Sequence, residues 1–351
     1  MTKTALITGI TGQDGAYLAE FLLKKDYKIF GTYRRLSTPN FWRLQHLGVL
    51  DQVTLIPADL LDSASIVRSL KISNPDEVYN LAAQSFVGAS FEQPTATGQI
   101  TGLSVARILE SIKEYNTKIK FYQASTSELY GNGSLDLMSE KTHFAPSSPY
   151  ATAKLYGYWM TKIYREAYGI FTCNGILFNH ESPIRGLEFV TRKVTNAVAK
   201  IALGLEKELR LGNLAAKRDW GFAREYVESM WLMLQHDVPD DYVVASNESH
   251  SVEELVDVAF KTMNLNWRDY VRVDENFIRP LDVKFLQGDH TKIKEKLGWE
   301  PKTKFQALVE MMVKEDYSRW QKYQQGERFP WDAITYPNEC NIISREYKLD
   351  K

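Results

Sequence analysis

The stretch Thr4–Gly15 constrains this chain more than any other. Thr4–Thr8 is a short apolar run of strand character, and Gly9, Gly12 and Gly15 follow it at GxxGxxG spacing, just before a helical pattern over Tyr17–Lys25. Such an order gives each glycine a separate task. The first permits a tight turn, the second lets backbone approach a pyrophosphate, and the third lets helix and strand pack closely. The helix start adds free N–H groups and the positive end of a dipole. A glycine turn alone says little; its place between a first strand and a first helix makes it specific. Gly9, Thr11, Gly12, Gln13, Asp14 and Gly15 are therefore candidate ligands of a dinucleotide.

The rest of the first half repeats the alternation. Further strand-like runs stand at Lys28–Tyr33, Val53–Pro57, Glu77–Leu81, Ile119–Gln123 and Phe171–Phe178, with helical periodicity between them at Ser63–Leu70, Leu103–Tyr115 and Tyr150–Tyr168. This predicts an α/β fold, a Rossmann-type doubly wound parallel sheet with helices on both faces and ligands beyond the carboxyl ends of the strands. The second half changes texture, with helices expected over Phe189–Leu205, Ala223–Gln235, Val252–Met263 and Phe305–Gln324 and short strands at Leu209–Leu211 and Tyr242–Ala245. The expected division is a cofactor domain over 1–178, into which later segments can cross back, a smaller and mostly helical substrate domain over 179–325, and an extended tail over 326–351.

Charge and cysteine usage narrow the partners. Lys and Arg number 43 against 44 Asp and Glu, a formal net charge of −1, so nothing points to nucleic acid or an anionic membrane. No apolar stretch approaches the ~20 residues of a membrane span. The two cysteines, Cys173 and Cys340, have neither metal-ligand spacing nor a disulfide framework. Cys173, in the apolar run Phe171–Phe178, reads as a buried core residue. A cytoplasmic location is expected, and no metal.

The end of the second strand distinguishes two cofactors. An NAD site usually carries an acid there, accepting from the ribose 2′-hydroxyl. This chain has Tyr33-Arg34-Arg35. Two guanidinium groups suit a 2′-phosphate, so NADP is the expected cofactor. Asp59, after the third strand, is placed either to meet the adenine amine or to form a turn.

Tyr150 and Lys154 have YxxxK spacing in a helical stretch, so both share one face. An ammonium beside a phenol favours the phenolate and fits it to take a proton from a sugar hydroxyl. Ser125-Thr126-Ser127-Glu128 follows a strand and belongs at the sheet's carboxyl edge. Glu128 there suits more than hydride transfer, because a carboxylate is what removes a proton from carbon next to a ketone. Tyr130–Gly133 reads as a turn, which argues against Glu128 being a helix cap.

Here the sequence resembles the GDP-mannose 4,6-dehydratase family, within the extended short-chain dehydrogenase/reductases, from about Thr4 to Trp299. The segments GITGQDGAYLAEFLL, NLAAQSFVGASFEQP, FYQASTSELYG, SPYATAKLYGYW, CNGILFNHESPIRG, FVTRKVTNAVA, LRLGNLAAKRDWGFAREYV and KEKLGW carry it. The resemblance implies Tyr150 as base at the 4-hydroxyl, Lys154 as its partner, Thr126 orienting the sugar oxygen and Glu128 as base at carbon 5, with bound NADP reduced and reoxidised in each turnover. It extends the cofactor set to Leu60, Leu81, Ala82, Ala83, His180 and Arg185. His180 is also readable as a structural histidine in an Asn-His-Glu turn. For GDP-sugar the implied set is Ser85, Ser90, Glu128, Asn179, Val190, Lys193, Arg218, Arg279 and Asp282. A homotetramer joined through the Arg34–Arg43 segment is implied as well.

Two positions depart from the family pattern. Asp282 stands where glutamate is common, which shortens the reach by one methylene, and Ile184 stands where arginine is often found, which makes the pocket mouth less basic. Phe86 and Glu181–Arg185, with Ser85 and Ser90, are candidates for the wall around the sugar. The same chemistry on GDP-manno-heptose or another GDP-sugar is the main alternative. An NDP-sugar epimerase or reductase would not need Glu128, and a cofactor-bound scaffold would need none of the four catalytic candidates.

Overall fold

The computed structural model describes residues 2–37, 40–133, 136–274, 277 and 281–327. Arg279, Cys340 and nearly all of the expected tail lie outside them. Strands β1 (Thr4–Thr8), β2 (Lys28–Tyr33), β3 (Thr54–Pro57), β4 (Glu77–Asn80), β5 (Lys120–Ala124) and β6 (Thr172–Leu177) alternate with helices α1 (Gln13–Leu23), α2 (Trp42–His46), α3 (Ser63–Ser73), α4 (Val87–Glu92), α5 (Pro94–Thr97), α6 (Ser104–Tyr115) and α7 (Pro149–Tyr168). There follow β7 (Asn179–Glu181), α8 (Val190–Ala202), β8 (Leu209–Leu211), β9 (Lys217–Arg218), β10 (Trp220–Phe222), α9 (Ala223–Gln235), β11 (Asp241–Val244), β12 (His250–Ser251), α10 (Val252–Thr262), α11 (Trp267–Tyr270), β13 (Val271–Val273), α12 (Thr291–Leu297) and α13 (Phe305–Gln324).

One parallel sheet runs β3-β2-β1-β4-β5-β6-β11. Strand order reverses between β1 and β4, the topological switch point at which ligands bind in such sheets. Alternate residues of the strands feed two different cores, as period-2 side-chain direction requires. Ala5, Ile7, Tyr79 and Tyr122 pack with α1 and α9 on one face, while Leu6, Val78 and Phe121 pack with α3, α6 and α7 on the other. The crossing back is explicit: β11 pairs with β6, and α9 covers the first sheet. A separate core formed by α8, α10 and α13, including Val194, Val198, Phe260 and Val309, belongs to the second half.

Local signals set the helix that carries Tyr150 and Lys154. Pro149 opens α7, where a missing N–H costs nothing, and Ser148 accepts from Ala151 N. Gly169 ends it at φ 63°, a left-handed conformation that glycine adopts without strain. Helix α1 begins at Gln13, four residues before the apolar pattern predicts, because the glycine loop supplies its first turn. Asn179–Glu181 is a strand paired in parallel with Trp220–Phe222 rather than a turn. No helix among the described residues is long and apolar enough to cross a membrane.

Candidate active site

A cleft of about 420 Å³ opens at the carboxyl ends of β1, β4 and β5. Its floor is the glycine loop. Gly9 has φ 69°, and a Cβ there would stand 2.9 Å from Ala82 Cα; a Cβ on Gly15 would stand 2.5 Å from the Gly9 carbonyl oxygen. Both positions therefore require glycine, for turn and for packing. Gly12 caps α1 with no side-chain hydrogen bond, which leaves the first-turn N–H groups to a ligand.

Two segments far apart in sequence are tied across this floor. Asp14 meets His180 Nε2 at 2.8 Å, and Gln13 donates to the His180 carbonyl and accepts from the Ser182 hydroxyl. Burial works against the Asp14 charge, but His180 outweighs it, and the carboxyl is held down at about 2. Arg43 completes the tie, donating to the carbonyls of Ile184 and Thr11.

The four catalytic candidates are all buried and all line the cleft. Thr126 caps a single 3₁₀ turn, Ser127–Leu129, its hydroxyl oxygen accepting from Glu128 N at 3.2 Å. Glu128 is thereby presented by a short turn at the end of β5, and the residue that caps is Thr126. Burial pushes the Tyr150 phenol well up, a hydrogen bond with Thr126 opposes it, and the Glu128 charge adds to it. Burial also brings the Lys154 ammonium down to about 8, against the pull of Asp14. The ammonium stands 5.9 Å from the centre of the Tyr150 ring and donates to the Ala124 carbonyl at 2.7 Å. Without further positive charge Tyr150 is therefore a phenol; a bound cation or donor is needed to make it a base near neutral pH.

Ser85, Asn179, Val190, Arg218 and Asp282 line the other part of the cleft. Arg218 Nη2 lies 3.5 Å from Asp282 Oδ1, and Asn213 donates to Asp282 Oδ2 at 3.3 Å. Ser125 Oγ and Asn179 Oδ1 are buried at the cleft with no hydrogen-bond partner, polar atoms that a bound ligand would satisfy.

The remaining candidates divide between the cleft wall and its surroundings. Leu81, Ala83, His180 and Arg185 are in the cleft wall, while Arg34, Arg35, Asp59 and Leu60 stand past the carboxyl ends of β2 and β3, beside the cleft. Both arginines are exposed there. Asp59 accepts from Leu61 N at 2.9 Å, so it forms a turn. Lys193 places its ammonium 3.7 Å from the centre of the Phe277 ring, itself a cleft residue. Ser90 is fully buried, its hydroxyl donating to the Val87 carbonyl. Ile184, expected at the mouth, is 1% exposed and belongs to the core. His180 uses both ring nitrogens and stacks on Tyr226 at 5.0 Å. Cys173 is buried, its thiol pushed up to about 12 by burial, which leaves no thiolate near neutral pH.

Sequence reading does not single out Glu188, Phe189, Asn213, Trp220 or Phe277, all of which line the cleft. Nor does it give Arg43 its role there. Phe189 packs edge-to-face on Phe86 at 6.0 Å and lies under Arg185 at 3.7 Å, closing one side with residues from two loops. No local pattern announces such contacts.

The fold is shared with solved enzymes of low identity. A UDP-glucose 4-epimerase from Thermotoga maritima aligns with TM-score 0.80 at 22% identity, covering 91% of this chain and 99% of that one. A dTDP-glucose 4,6-dehydratase from Streptomyces venezuelae aligns with TM-score 0.80 at 19% identity, covering 91% and 98%. Sequence relatives are much nearer. The chain is 52% identical over 324 residues to GDP-mannose 4,6 dehydratase 2 of Arabidopsis thaliana, covering 90% of this chain and 87% of that protein. It is 48% identical over 339 residues to the Homo sapiens GDP-mannose 4,6 dehydratase, covering 90% and 91%. The family model described as GDP-mannose 4,6 dehydratase matches residues 6–312, and with it the chain belongs to the GDP-mannose 4,6-dehydratase family.

Proposed function

We propose that this enzyme converts GDP-D-mannose to GDP-4-keto-6-deoxy-D-mannose, a loss of water in which NADP serves as resident hydride carrier. The observation that carries the reading is the presence of Glu128 in the same buried cleft as Thr126, Tyr150 and Lys154. A hydroxyl-to-ketone oxidation uses the last three; only elimination next to the ketone calls for the first.

The cofactor fits the residues present. The open N–H groups of the Gly9–Gly15 loop would hold the diphosphate, Arg34 and Arg35 the 2′-phosphate, and Leu81, Ala82, Ala83, His180 and Arg185 the nicotinamide end. When bound, NADP supplies an acceptor for the carbon-4 hydride and a donor of the same hydride to carbon 6. Tyr150 takes the proton of the 4-hydroxyl, and Lys154 stabilises the phenolate that does so. The new ketone acidifies carbon 5. Glu128 removes that proton and protonates the departing 6-hydroxyl, so that water leaves; Tyr150 then returns the proton it took from the 4-hydroxyl to carbon 5, while the bound cofactor would return its hydride to carbon 6. Arg218 and Lys193, with Asn179 and Val190, would hold the GDP moiety, and Arg279 belongs to the same proposal. The cleft walls around Tyr150 exclude bulk water and so retain the ketone.

Substrate deuterated at carbon 4 gives product deuterated at carbon 6 without consumption of added cofactor. Label lost to free NADPH would refute internal return. The same reading takes the enzyme as a cytoplasmic homotetramer joined through the 34–43 segment, which Arg43 ties to the cofactor loop; sedimentation of the purified protein tests the assembly.

A further inference from the structure

Pairing of β4 with β5 ends at Asn80 and Gln123. The next carbonyl, that of Ala124, accepts from side chains: Lys154 Nζ at 2.7 Å and Gln123 Nε2 at 2.9 Å. The Gln123 amide is fixed in turn, because its oxygen accepts from Asn80 Nδ2 at 2.7 Å, and the Asn80 oxygen accepts from the Thr8 hydroxyl at 2.7 Å. Thr8 Oγ1 accepts from the backbone N–H groups of Leu81 and Ala82, each at 3.1 Å. Those backbone donors settle the direction of the whole chain. The hydroxyl oxygen is taken up as acceptor, its one proton goes to Asn80, and each amide passes the polarity on. Thr8, Asn80, Gln123 and Lys154 are all at most 5% exposed, so no water competes for these groups.

We infer that Gln123 is a positioning residue for the reaction: through the directed chain Thr8–Asn80–Gln123 it fills one lone pair of the Ala124 carbonyl and so fixes where the Lys154 ammonium stands beside Tyr150. Gln123 does not line the cleft and acts only through Lys154. Room for its side chain comes from Gly157 on α7, where a Cβ would lie 3.9 Å from Gln123 Nε2 and 2.9 Å from Val105 Cγ2. At its other end the chain reaches the Leu81–Ala82 turn, which packs on Gly9, so the same hydrogen bonds join the cofactor loop to the lysine. Without the Gln123 amide, the carbonyl is open to the ammonium from both sides. The charge then drifts, and the phenolate of Tyr150 loses part of its stabilisation.

The inference rests on Tyr150 and Lys154 being the proton-transfer pair, and Tyr150→Phe is the control for that. Gln123→Met keeps the length and removes the hydrogen bonds; Thr8→Val keeps the shape and removes the hydroxyl; Thr8→Ser keeps the hydroxyl. Measured on the cofactor-loaded enzyme are thermal midpoint, KM, kcat against pH, and the titration of [13Cε]-lysine resonances, with Lys154 assigned by its loss in Lys154→Met. For Gln123→Met the expected result is about a tenfold lower kcat at neutral pH, unchanged KM, and an acid limb moved up by about one pH unit, with activity recovered in alkali. The Lys154 resonance titrates at an altered pH. Thr8→Val moves both readouts in the same sense, Thr8→Ser restores them, and this pair decides the matter if Gln123→Met does not fold. Folded variants with the wild-type acid limb and Lys154 titration would overturn the inference while an inactive Tyr150→Phe leaves the dehydratase reading standing. An active Tyr150→Phe would remove the reading itself.

Discussion

Asp14 in the first turn of α1 and His180 in β7 face each other at 2.8 Å across the floor of the cleft. The other ring nitrogen of His180 stands 2.7 Å from the Phe178 carbonyl. Both partners are acceptors, so both contacts are hydrogen bonds only when the ring is an imidazolium, the form that Asp14 favours. That form neutralises a carboxylate that would otherwise stand against a bound diphosphate at the same helix end.

A pH dependence of stability follows. Burial opposes the His180 charge, but Asp14 raises its pKa above 6.5, so this contribution is present below that value and is lost as pH rises through the folded pKa. Asp14 is lowered from 3.8 to about 2, so its contribution is present above the first value and is lost as pH falls through the second. The pair, counted once, therefore stabilises most between about pH 4 and 6.5. His180→Gln should cost about 1.5–3 kcal/mol in that window. Thermal unfolding as a function of pH checks it: the deficit narrows in alkali, and a deficit independent of pH would refute the ion pair.

Glu128→Gln and Tyr150→Phe should block different steps. Loss of general acid–base help typically costs roughly 10²–10⁴-fold in rate. Glu128→Gln should still exchange hydride between the cofactor and carbon 4 while no water is lost, whereas Tyr150→Phe should do neither. Product mass and cofactor absorbance in single turnovers separate the two; near-normal turnover by Glu128→Gln would remove that residue from the mechanism.

On the proposed reading, preference for NADP rests on Arg34 and Arg35, which follow β2 and are exposed. Replacing the arginine that meets the 2′-phosphate should weaken NADP by about 1.5–3 kcal/mol and leave NAD nearly unaffected. Titration of each variant with both cofactors tests this. Equal affinities in the unmodified enzyme would contradict the assignment.

Gly15→Ala probes the loop itself. The added Cβ meets Gly9 O at 2.5 Å and Ile10 Cα at 2.6 Å, both backbone atoms that cannot turn aside. Overpacking of this kind costs about 1–3 kcal/mol, and the displaced turn should also weaken cofactor binding. Thermal denaturation and NADPH fluorescence titration report the two effects; unchanged values of both would mean that the turn yields freely.

On the proposed reading, the choice of sugar depends on room around Ser85, Phe86 and Arg185, which line the cleft. GDP-mannose and GDP-manno-heptose both carry the groups the chemistry needs, and the heptose adds a hydroxymethyl group. A wall shaped for the hexose should discriminate by about 1–3 kcal/mol. Competition of the two in one reaction measures the ratio of kcat/KM, and a larger value for the heptose would overturn the choice of mannose while leaving the mechanism in place.

By itself the sequence determined what local chemistry controls. The strands and helices of the first half, the glycine loop, Tyr150 and Lys154 on one helix face and Glu128 just after a strand are set by side-chain period, turn residues and caps, all of which act within a few residues. Helix α1 starts early because Gln13, Asp14 and Gly15, after the extended N-cap Gly12, already form its first turn, which an apolar pattern does not register. Tertiary structure alone decided which distant groups meet. The Asp14–His180 pair spans 166 residues, the Arg43 bond to Ile184 spans 141, and Phe86 finds Phe189 across the cleft. It placed Ile184 in the core and buried Ser90 with its hydroxyl on the Val87 carbonyl, although both stand in segments that read as binding motifs. It also joined Thr8, Asn80 and Gln123, which lie on three separate strands and become neighbours only when β1, β4 and β5 lie side by side. Such contacts depend on sheet order and loop packing, and these are settled by burying both faces of the sheet at once rather than by any short run of residues.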